Sequence, residues 1–173
     1  MRSRLNALIL LLILNVSGSL PGCGGAVQAG TGEQADRILV IKSSRTLMLM
    51  KGDRVLRSYK IALGRNSVGP KIRKGDHQTP EGNYIVDAKK DKSRFYLALH
   101  LSYPNDADRL RAKQLGVDPG GDVEIHGIEN GLGWFGALHR RVDWTDGCIA
   151  VTDAEISEIW NMVSIGTPVE IKP

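Results

Sequence analysis

Cysteine is scarce in this sequence, which contains only Cys23 and Cys148 among its 173 residues. Cys23 lies in an N-terminal segment expected to be processed on export, so the folded domain keeps Cys148 alone and forms no internal disulfide. No second ligand lies at the usual zinc spacing from Cys148, which argues against a metal site there. An unpaired thiol in an oxidising compartment is either a reactive nucleophile or a buried, inert side chain.

The sequence also lacks a run of basic residues and has few aromatic ones. Its formal net charge is +4, and two arginines of the N-terminal segment contribute two of these charges. Without a basic tract, we expect no nucleic-acid partner. Aromatic residues make up 5% of the chain, and its three tryptophans, Trp134, Trp144 and Trp160, all lie in the last 40 residues. Large rigid side chains therefore flank Cys148 in the sequence.

Residues 1–29 have the pattern of an export signal. Arg2 and Arg4 precede the apolar run Ala7–Leu14. That run is shorter than the roughly 20 apolar residues of a transmembrane helix, and a basic segment followed by a short apolar one is typical of a signal peptide. We therefore predict an exported, periplasmic protein.

Two processing sites compete at the end of this signal. Leu20–Cys23 resembles a bacterial lipobox, in which a lipid on Cys23 would be the only contact with the membrane. Val27–Ala29 offers small residues to an ordinary signal peptidase. Both alternatives stay open, and with either one we predict a linker over residues 30–36 and a single domain over residues 37–173.

Short apolar segments between turn residues predict a mainly β fold with one or two helices. Residues 106–116 have helical composition and end at a glycine, and Thr152–Glu155 has the pattern of a capping box before a second helix. Gly64–Pro80 is predicted to be a long functional loop. The predicted strands are Arg37–Lys42, Thr46–Met50, Arg54–Leu63, Gly82–Ala88, Arg94–Leu101, Asp122–His126 and Pro168–Ile171.

Cys148 directly follows Gly147 at the start of a short apolar strand. A glycine permits a sharp turn, so the N–H groups of Gly147 and Cys148 are candidate oxyanion-hole donors. His126 is the preferred base for the thiol because it ends a predicted strand on its polar face. The carbonyl of Gly127 is placed to hold the Nδ1 proton of His126 and to fix its tautomer.

The other histidines, His77, His100 and His139, are interpreted mainly as surface or structural residues. His139 has a second interpretation, as a residue that gates or binds substrate. Glu124 lies on the same predicted strand face as His126, and we interpret it as a solvated carboxylate at the strand edge rather than as a group that tunes the histidine.

These residues resemble a known family. Thr145-Asp146-Gly147-Cys148, the upstream Ile125-His126-Gly127 and the earlier Thr79-Pro80-Glu81-Gly82 are similar to the motifs of the L,D-transpeptidase (YkuD-type) catalytic domain. The likeness covers roughly residues 37–172 and implies the β-sandwich or barrel-like fold of that family. Asp146 replaces the second histidine of the family motif and Ala150 replaces its usual Asn or Arg, as in a proteobacterial subgroup, which leaves substrate preference open.

The resemblance implies cysteine acyl transfer on peptidoglycan stem peptides, without metal or cofactor. Cys148 would attack the carbonyl at the third residue of a tetrapeptide and release D-alanine, with His126 as proton acceptor and donor. The acyl acceptor would be a diaminopimelate amine, in cross-linking, an amine of an attached envelope lipoprotein, or water. The candidate substrate-binding residues are Thr145, Trp134, His139, Arg140 and Arg141.

Two further classes of protein compete with this interpretation. A sortase-like transpeptidase also pairs cysteine with histidine, but it needs an arginine shortly after the cysteine, and no arginine follows Cys148. A catalytically silent envelope-binding module could retain the fold and the motifs. An L,D-carboxypeptidase or hydrolase of the same fold is the alternative within the enzymes.

Overall fold

The computed structural model describes residues 32–173, so the predicted signal peptide and both processing sites lie outside the described residues. The described chain contains eight strands, two α-helices and one 3-10 helical segment, as a mainly β fold with two helices. No helix among residues 32–173 has the length and apolar character needed to cross a membrane. The strands are Arg37–Ile41 (β1), Thr46–Lys51 (β2), Arg54–Lys60 (β3), Gly82–Ser93 (β4), Tyr96–Leu101 (β5), Glu124–His126 (β6), Ile149–Ala150 (β7) and Pro168–Lys172 (β8).

The strands follow the order β3-β2-β1-β8-β4-β5-β6-β7. The first residues of β4 pair with β8, and its remaining residues pair with β5, so this one strand joins the two halves of the sheet. Most neighbours are antiparallel, as the sequence predicts, but β1 pairs with β8 and β6 pairs with β7 in parallel. Ala62, just after β3, exchanges two backbone hydrogen bonds of 2.8 and 2.9 Å with Ala150 of β7. The two ends of the sheet therefore meet, which makes the fold barrel-like.

The first helix ends and the second begins where the predicted capping residues place them. Helix α1 (Asp106–Leu115) has Asn105 as N-cap and ends at Gly116, whose left-handed φ of 66° closes the last turn. Helix α2 (Asp153–Met162) begins after Thr152, whose side chain accepts from the Glu155 N–H in a capping box. The apolar face of α2 packs on β5 and β6, the strand that carries His126.

Most strands differ from their predictions by one or more residues at an end, and three of these differences have a local reason. β4 continues to Ser93 because its charged residues pair with β5 along the backbone, although no apolar alternation marks them. β3 stops at Lys60, and the apolar residues that follow form only the bridge to β7. β6 starts at Glu124 because Asp122 has a φ of 53°, which a strand does not accommodate.

Candidate active site

Cys148 lies on a sharp turn immediately before β7. Gly147 has a φ of 130°, a region that side chains rarely adopt, and a Cβ on it would lie 2.6 Å from the carbonyl oxygen of Gln78. The parallel pairing of β7 with β6, Ile125 opposite Ile149, sets Cys148 beside the strand that carries His126. The backbone therefore requires glycine here, and the sheet register brings the two catalytic candidates together.

Thr145 holds the turn from within. It is buried, and its hydroxyl oxygen accepts from the Gly147 N–H at 3.1 Å while its hydroxyl donates to the Cys148 carbonyl at 2.7 Å. The Gly147 N–H, a predicted oxyanion donor, is therefore engaged within the turn. Among residues 32–173, none accepts a hydrogen bond from the Cys148 N–H. Thr145 thus holds the turn and also lines a cavity together with Cys148 and His126, and its role in substrate binding stays a prediction.

The thiol of Cys148 is half-buried and lies 3.5 Å from the Asp122 carbonyl oxygen, to which it donates. Burial raises the pKa of this thiol to about 11, and the negative charges of Glu124 and Asp146 act in the same direction. The thiol is therefore protonated at neutral pH. Attack on a carbonyl requires a base that removes its proton in the same step.

His126 is enclosed by aromatic rings. Phe95 stacks on it at 4.3 Å between ring centroids, Trp144 meets it edge-on at 5.8 Å, and the residue is only 1% exposed. Its Nδ1 lies 2.6 Å from the Gly127 carbonyl oxygen, so Nδ1 carries the proton and Nε2 is the free acceptor. Burial lowers the pKa of His126, which keeps the ring neutral and able to accept a proton.

The strand face that carries His126 is not a solvated one. All three residues of β6 are buried, and Glu124, expected as a solvated carboxylate, is 9% exposed and paired with Lys90 at 2.6 Å. The expectation is wrong because Lys90 lies on β4, two strands away in the sheet, and reaches across β5. Glu124 and Lys90 are far apart in the sequence, so the residues around Glu124 do not indicate this pairing.

Two cavities meet at Cys148. One, of about 350 Å³, is also lined by His126, Phe95 and Trp144, and we call it the His126 cavity. The other, of about 550 Å³, is also lined by His77, and we call it the His77 cavity. Cys148 thus borders both cavities.

Asp146, which takes the place of the family's second histidine, pairs with residues of the Gly64–Pro80 segment. Its carboxylate accepts from Arg65 and lies 2.9 Å from Nδ1 of His77. The bond from Arg65, assisted by His77, lowers the pKa of Asp146, so the group is a carboxylate. Ala150, the other departure, is fully buried where β7 bridges to Ala62.

The remaining predicted substrate-binding residues lie in the 3-10 helical segment Gly133–Arg141, and the structure brings only part of it near the site. His139 accepts from the Trp144 indole N–H at 3.2 Å, and burial lowers its pKa to about 4. Arg140 pairs with Glu155 of α2, and Arg141 is exposed. Trp134 is 75% exposed and stacks on the neighbouring phenylalanine. None of the four lines either cavity at Cys148, and their role in substrate binding stays a prediction.

Sequence reasoning did not identify three residues that complete the site. Phe95 and Trp144 enclose His126, and His77 lines the second cavity. The concentration of tryptophans near Cys148 was a signal for Trp144, whereas Phe95 and His77 come from distant segments and have no local signal. Among residues 32–173, no cluster of three metal-ligating side chains is present.

The sequence model of the YkuD family, described as the L,D-transpeptidase catalytic domain, matches residues 35–171. The candidate L,D-transpeptidase YafK of Escherichia coli K12 is 34% identical over 112 residues, which cover 61% of this chain and 44% of YafK. The chain thus spans less than half the length of this curated relative.

Solved structures share the fold. The helical cell shape determining protein Pgp2 of Campylobacter jejuni has a TM-score of 0.61 at 23% identity, over 82% of this chain and 49% of that one. An L,D-transpeptidase of Mycobacterium smegmatis has a TM-score of 0.52 at 16% identity, over 79% of this chain and 58% of that one.

Proposed function

The chain belongs to the YkuD family of L,D-transpeptidase catalytic domains, and from this premise we propose that it is a cysteine acyltransferase of peptidoglycan stem peptides. The observation that carries the proposal is the meeting of two cavities at Cys148, one of them lined by His126 with its Nε2 free. A transferase needs space for a donor and an acceptor on one nucleophile. A free imidazole nitrogen beside a protonated thiol is what the first step requires.

In the first step the sulfur of Cys148 bonds to the carbonyl carbon at the third residue of a tetrapeptide. His126 takes the thiol proton on Nε2 and returns it to the nitrogen of the departing D-alanine, which leaves a thioester. Because the thiol and the imidazole are both neutral beforehand, proton transfer accompanies attack. The aromatic enclosure by Phe95 and Trp144 keeps the ring neutral and oriented.

The developing oxyanion needs a hydrogen-bond donor. The Gly147 N–H is engaged by Thr145, so the Cys148 N–H is the donor that we assign to this role. Gly147 contributes the backbone conformation of the turn that carries this N–H. A donor of this kind is typically worth about 3 to 4 kcal/mol of the barrier.

In the second step an amine displaces the sulfur. A diaminopimelate side chain would yield a cross-link, and an amine of an envelope lipoprotein would attach that protein to the wall. Pgp2, which shares the fold, is described as a determinant of helical cell shape. We place this chain in cell-wall remodelling in the periplasm, exported by its N-terminal signal.

The test uses the purified full chain and disaccharide-tetrapeptides, with products identified by mass spectrometry. We expect D-alanine release together with linked dimers. Tripeptides without dimers would overturn transfer and assign hydrolysis, and no D-alanine at all would overturn the proposal. Cys148→Ala should abolish release, whereas Cys23→Ala, the same change at the other cysteine, should leave it intact.

Export is tested separately, by fractionating cells that produce the tagged chain. The periplasmic assignment requires it outside the cytoplasm, and retention in the cytoplasm would contradict it. Labelling with a fatty acid analogue that disappears in Cys23→Ala would support a lipid anchor on Cys23. Equal labelling of the wild-type chain and of Cys23→Ala would contradict that anchor.

A further inference from the structure

A second histidine adjoins Cys148 from a part of the chain that forms neither helix nor strand. His77 lies in the Gly64–Pro80 segment, and its ring lines the His77 cavity together with Cys148 and Gly147. His126 is not among the residues that line this cavity. Each histidine therefore adjoins the nucleophile through its own space.

The backbone at His77 is held in an uncommon conformation. Its φ is 56°, a left-handed value that few residues other than glycine adopt and that costs on the order of 1 kcal/mol or more. Its carbonyl accepts from the Asn66 N–H at 3.1 Å, and the next residue, Gln78, lies directly against Gly147. Such backbone conformations persist only where surrounding contacts impose them, and they concentrate at functional sites.

A buried ion pair anchors this conformation. Lys71 and Asp76 are almost fully buried, with 2.8 Å between Nζ and Oδ1. Asp76 also accepts from the N–H groups of Ile72, Arg73 and Gln78 at 2.7 to 3.1 Å. His77 therefore follows a residue whose carboxylate is bonded on both oxygens, and the ring is carried by a rigid turn.

Asp146 orients the ring of His77. Its carboxylate, kept ionised by Arg65, lies 2.9 Å from Nδ1. A carboxylate only accepts, so Nδ1 carries the proton and Nε2 is left as the acceptor. His126 has the same arrangement, with the Gly127 carbonyl in place of the carboxylate. In both histidines, therefore, Nδ1 is hydrogen-bonded, and Nε2 is the nitrogen that can accept a proton when the ring is neutral.

We infer that His77 is the base that activates the acyl acceptor, with Asp146 as its positioning residue. The inference rests on the proposed function, since it concerns the second step of that reaction. The acceptor amine enters as an ammonium ion and first gives one proton to water. Its neutral nitrogen then bonds to the thioester carbon, and Nε2 of His77 removes a second proton from that nitrogen. The bond from carbon to sulfur breaks, and the proton passes across the shared cavity to the sulfur of Cys148.

The charges of this cavity suit an amine acceptor. Asp118 lines it and attracts a cationic amine, and Lys71 is neutralised by Asp76. Asp122 also lines it, with its carboxylate 4.0 Å from Nζ of Lys90 and 3.7 Å from Nε2 of His100. Lys74 is the exposed cation at its edge. A primary amine that enters here meets carboxylates first and the base at Cys148 next.

The experiment separates the two steps by intact-protein mass spectrometry of the full chain mixed with tetrapeptide. For His77→Gln we expect a full burst of D-alanine, one per enzyme, followed by accumulation of the thioester. Its turnover should be slower than in wild type on the order of 10²-fold, as for loss of a general base. Hydroxylamine, a strong nucleophile that needs no base, should restore release of the acyl group.

Two variants complete the design. Asp146→Asn keeps His77 but removes the carboxylate, so it should also accumulate thioester, to a smaller extent. His100→Gln is the matched control, because His100 likewise bonds through Nδ1 to an aspartate, Asp87, at 2.6 Å but lines neither cavity. Its other ring nitrogen is 3.7 Å from the largely exposed carboxylate of Asp122, a distance beyond that of a hydrogen bond. It should turn over as wild type does. Thermal unfolding of each variant confirms that it is folded.

Equal turnover of the thioester in wild type and in both His77→Gln and Asp146→Asn would overturn this inference while the proposed function stands. Loss of the D-alanine burst in His77→Gln would also overturn it, since His77 would then act in the first step. Absence of any D-alanine release in wild type would instead overturn the proposed function itself.

Discussion

The two cavities that meet at Cys148 surround their histidines in opposite ways. His126 is buried under Phe95 and Trp144, and loss of water lowers its pKa. The side chain of His77 is 43% exposed and belongs to an ionic cluster with Asp146 and Arg65. In both rings Nδ1 is hydrogen-bonded, to a backbone carbonyl in His126 and to a carboxylate in His77.

The structural elements that hold the two histidines in place differ as well. His126 is held by a strand whose neighbours, β5 and β7, are bonded to it along the backbone. His77 is held by side chains, chiefly the buried pair of Lys71 and Asp76. Substitutions around His126 should therefore affect the reaction. Substitutions around His77 should also destabilise the Gly64–Pro80 segment that carries this histidine.

The largest expected effect is at the desolvated base. His126→Gln keeps a side chain of similar size but removes the proton acceptor of the first step, so we expect D-alanine release to slow by about 10² to 10⁴-fold. Rapid-quench measurement of the D-alanine burst checks this. His100→Gln is the control, and a burst of wild-type rate in His126→Gln would contradict the assignment of His126.

The next-largest effect is expected at the buried ion pair that holds the segment carrying His77. Lys71→Met leaves the Asp76 carboxylate buried without its partner, so we expect a loss of about 3 to 5 kcal/mol in the free energy of unfolding. Urea denaturation measures this. Lys74→Met is matched in chemistry on the same segment but lies exposed, and should change stability by less than about 0.5 kcal/mol. Equal losses in the two variants would show that the buried pair is not the anchor.

Much of the fold was predictable from local sequence. The capping box at Thr152 and the glycine at 116 placed the helix ends correctly, because capping chemistry depends on residues within one turn. The charged end of β4 was not predictable, since its pairing partner β5, not its own pattern, makes it a strand. The parallel pairings likewise depend on segments far apart in the chain.

For the site, the chemistry of two motifs pointed to Cys148 and His126, and the sheet register brings them to one cavity. Burial could not be foreseen: Glu124 was interpreted as solvated, yet Lys90 covers it from β4. His77 was interpreted as an ordinary histidine because nothing within its own segment links it to Asp146, 69 residues away. Long-range pairs of polar residues leave no trace in local sequence patterns.

A third prediction concerns how the reactivity of the Cys148 thiol depends on pH. Because the pKa of Cys148 is raised to about 11, its alkylation by iodoacetamide in a Cys23→Ala chain should accelerate about tenfold per pH unit from pH 7 to 10, since the thiolate is the reacting form. Mass spectrometry of the adduct measures the rate. A rate that levels off near neutral pH would show that the thiol is already ionised, and would contradict attack by a neutral pair.

The smallest expected effect tests whether the exclusion of water by the aromatic rings lowers the pKa of His126. Phe95→Leu opens the aromatic cover of His126 to water, which should raise its pKa toward the ordinary value of 6.5. A base must be unprotonated to act, so a raised pKa moves the acidic limb of the rate profile to higher pH. The D-alanine burst rate should therefore begin to fall at a higher pH in Phe95→Leu than in wild type, which a comparison of their pH profiles measures. Phe135→Leu, at the only other phenylalanine, should leave this limb unchanged. An unmoved limb in Phe95→Leu would mean that the aromatic cover does not set the protonation of His126, and the contrast between the two histidines would then rest on geometry alone.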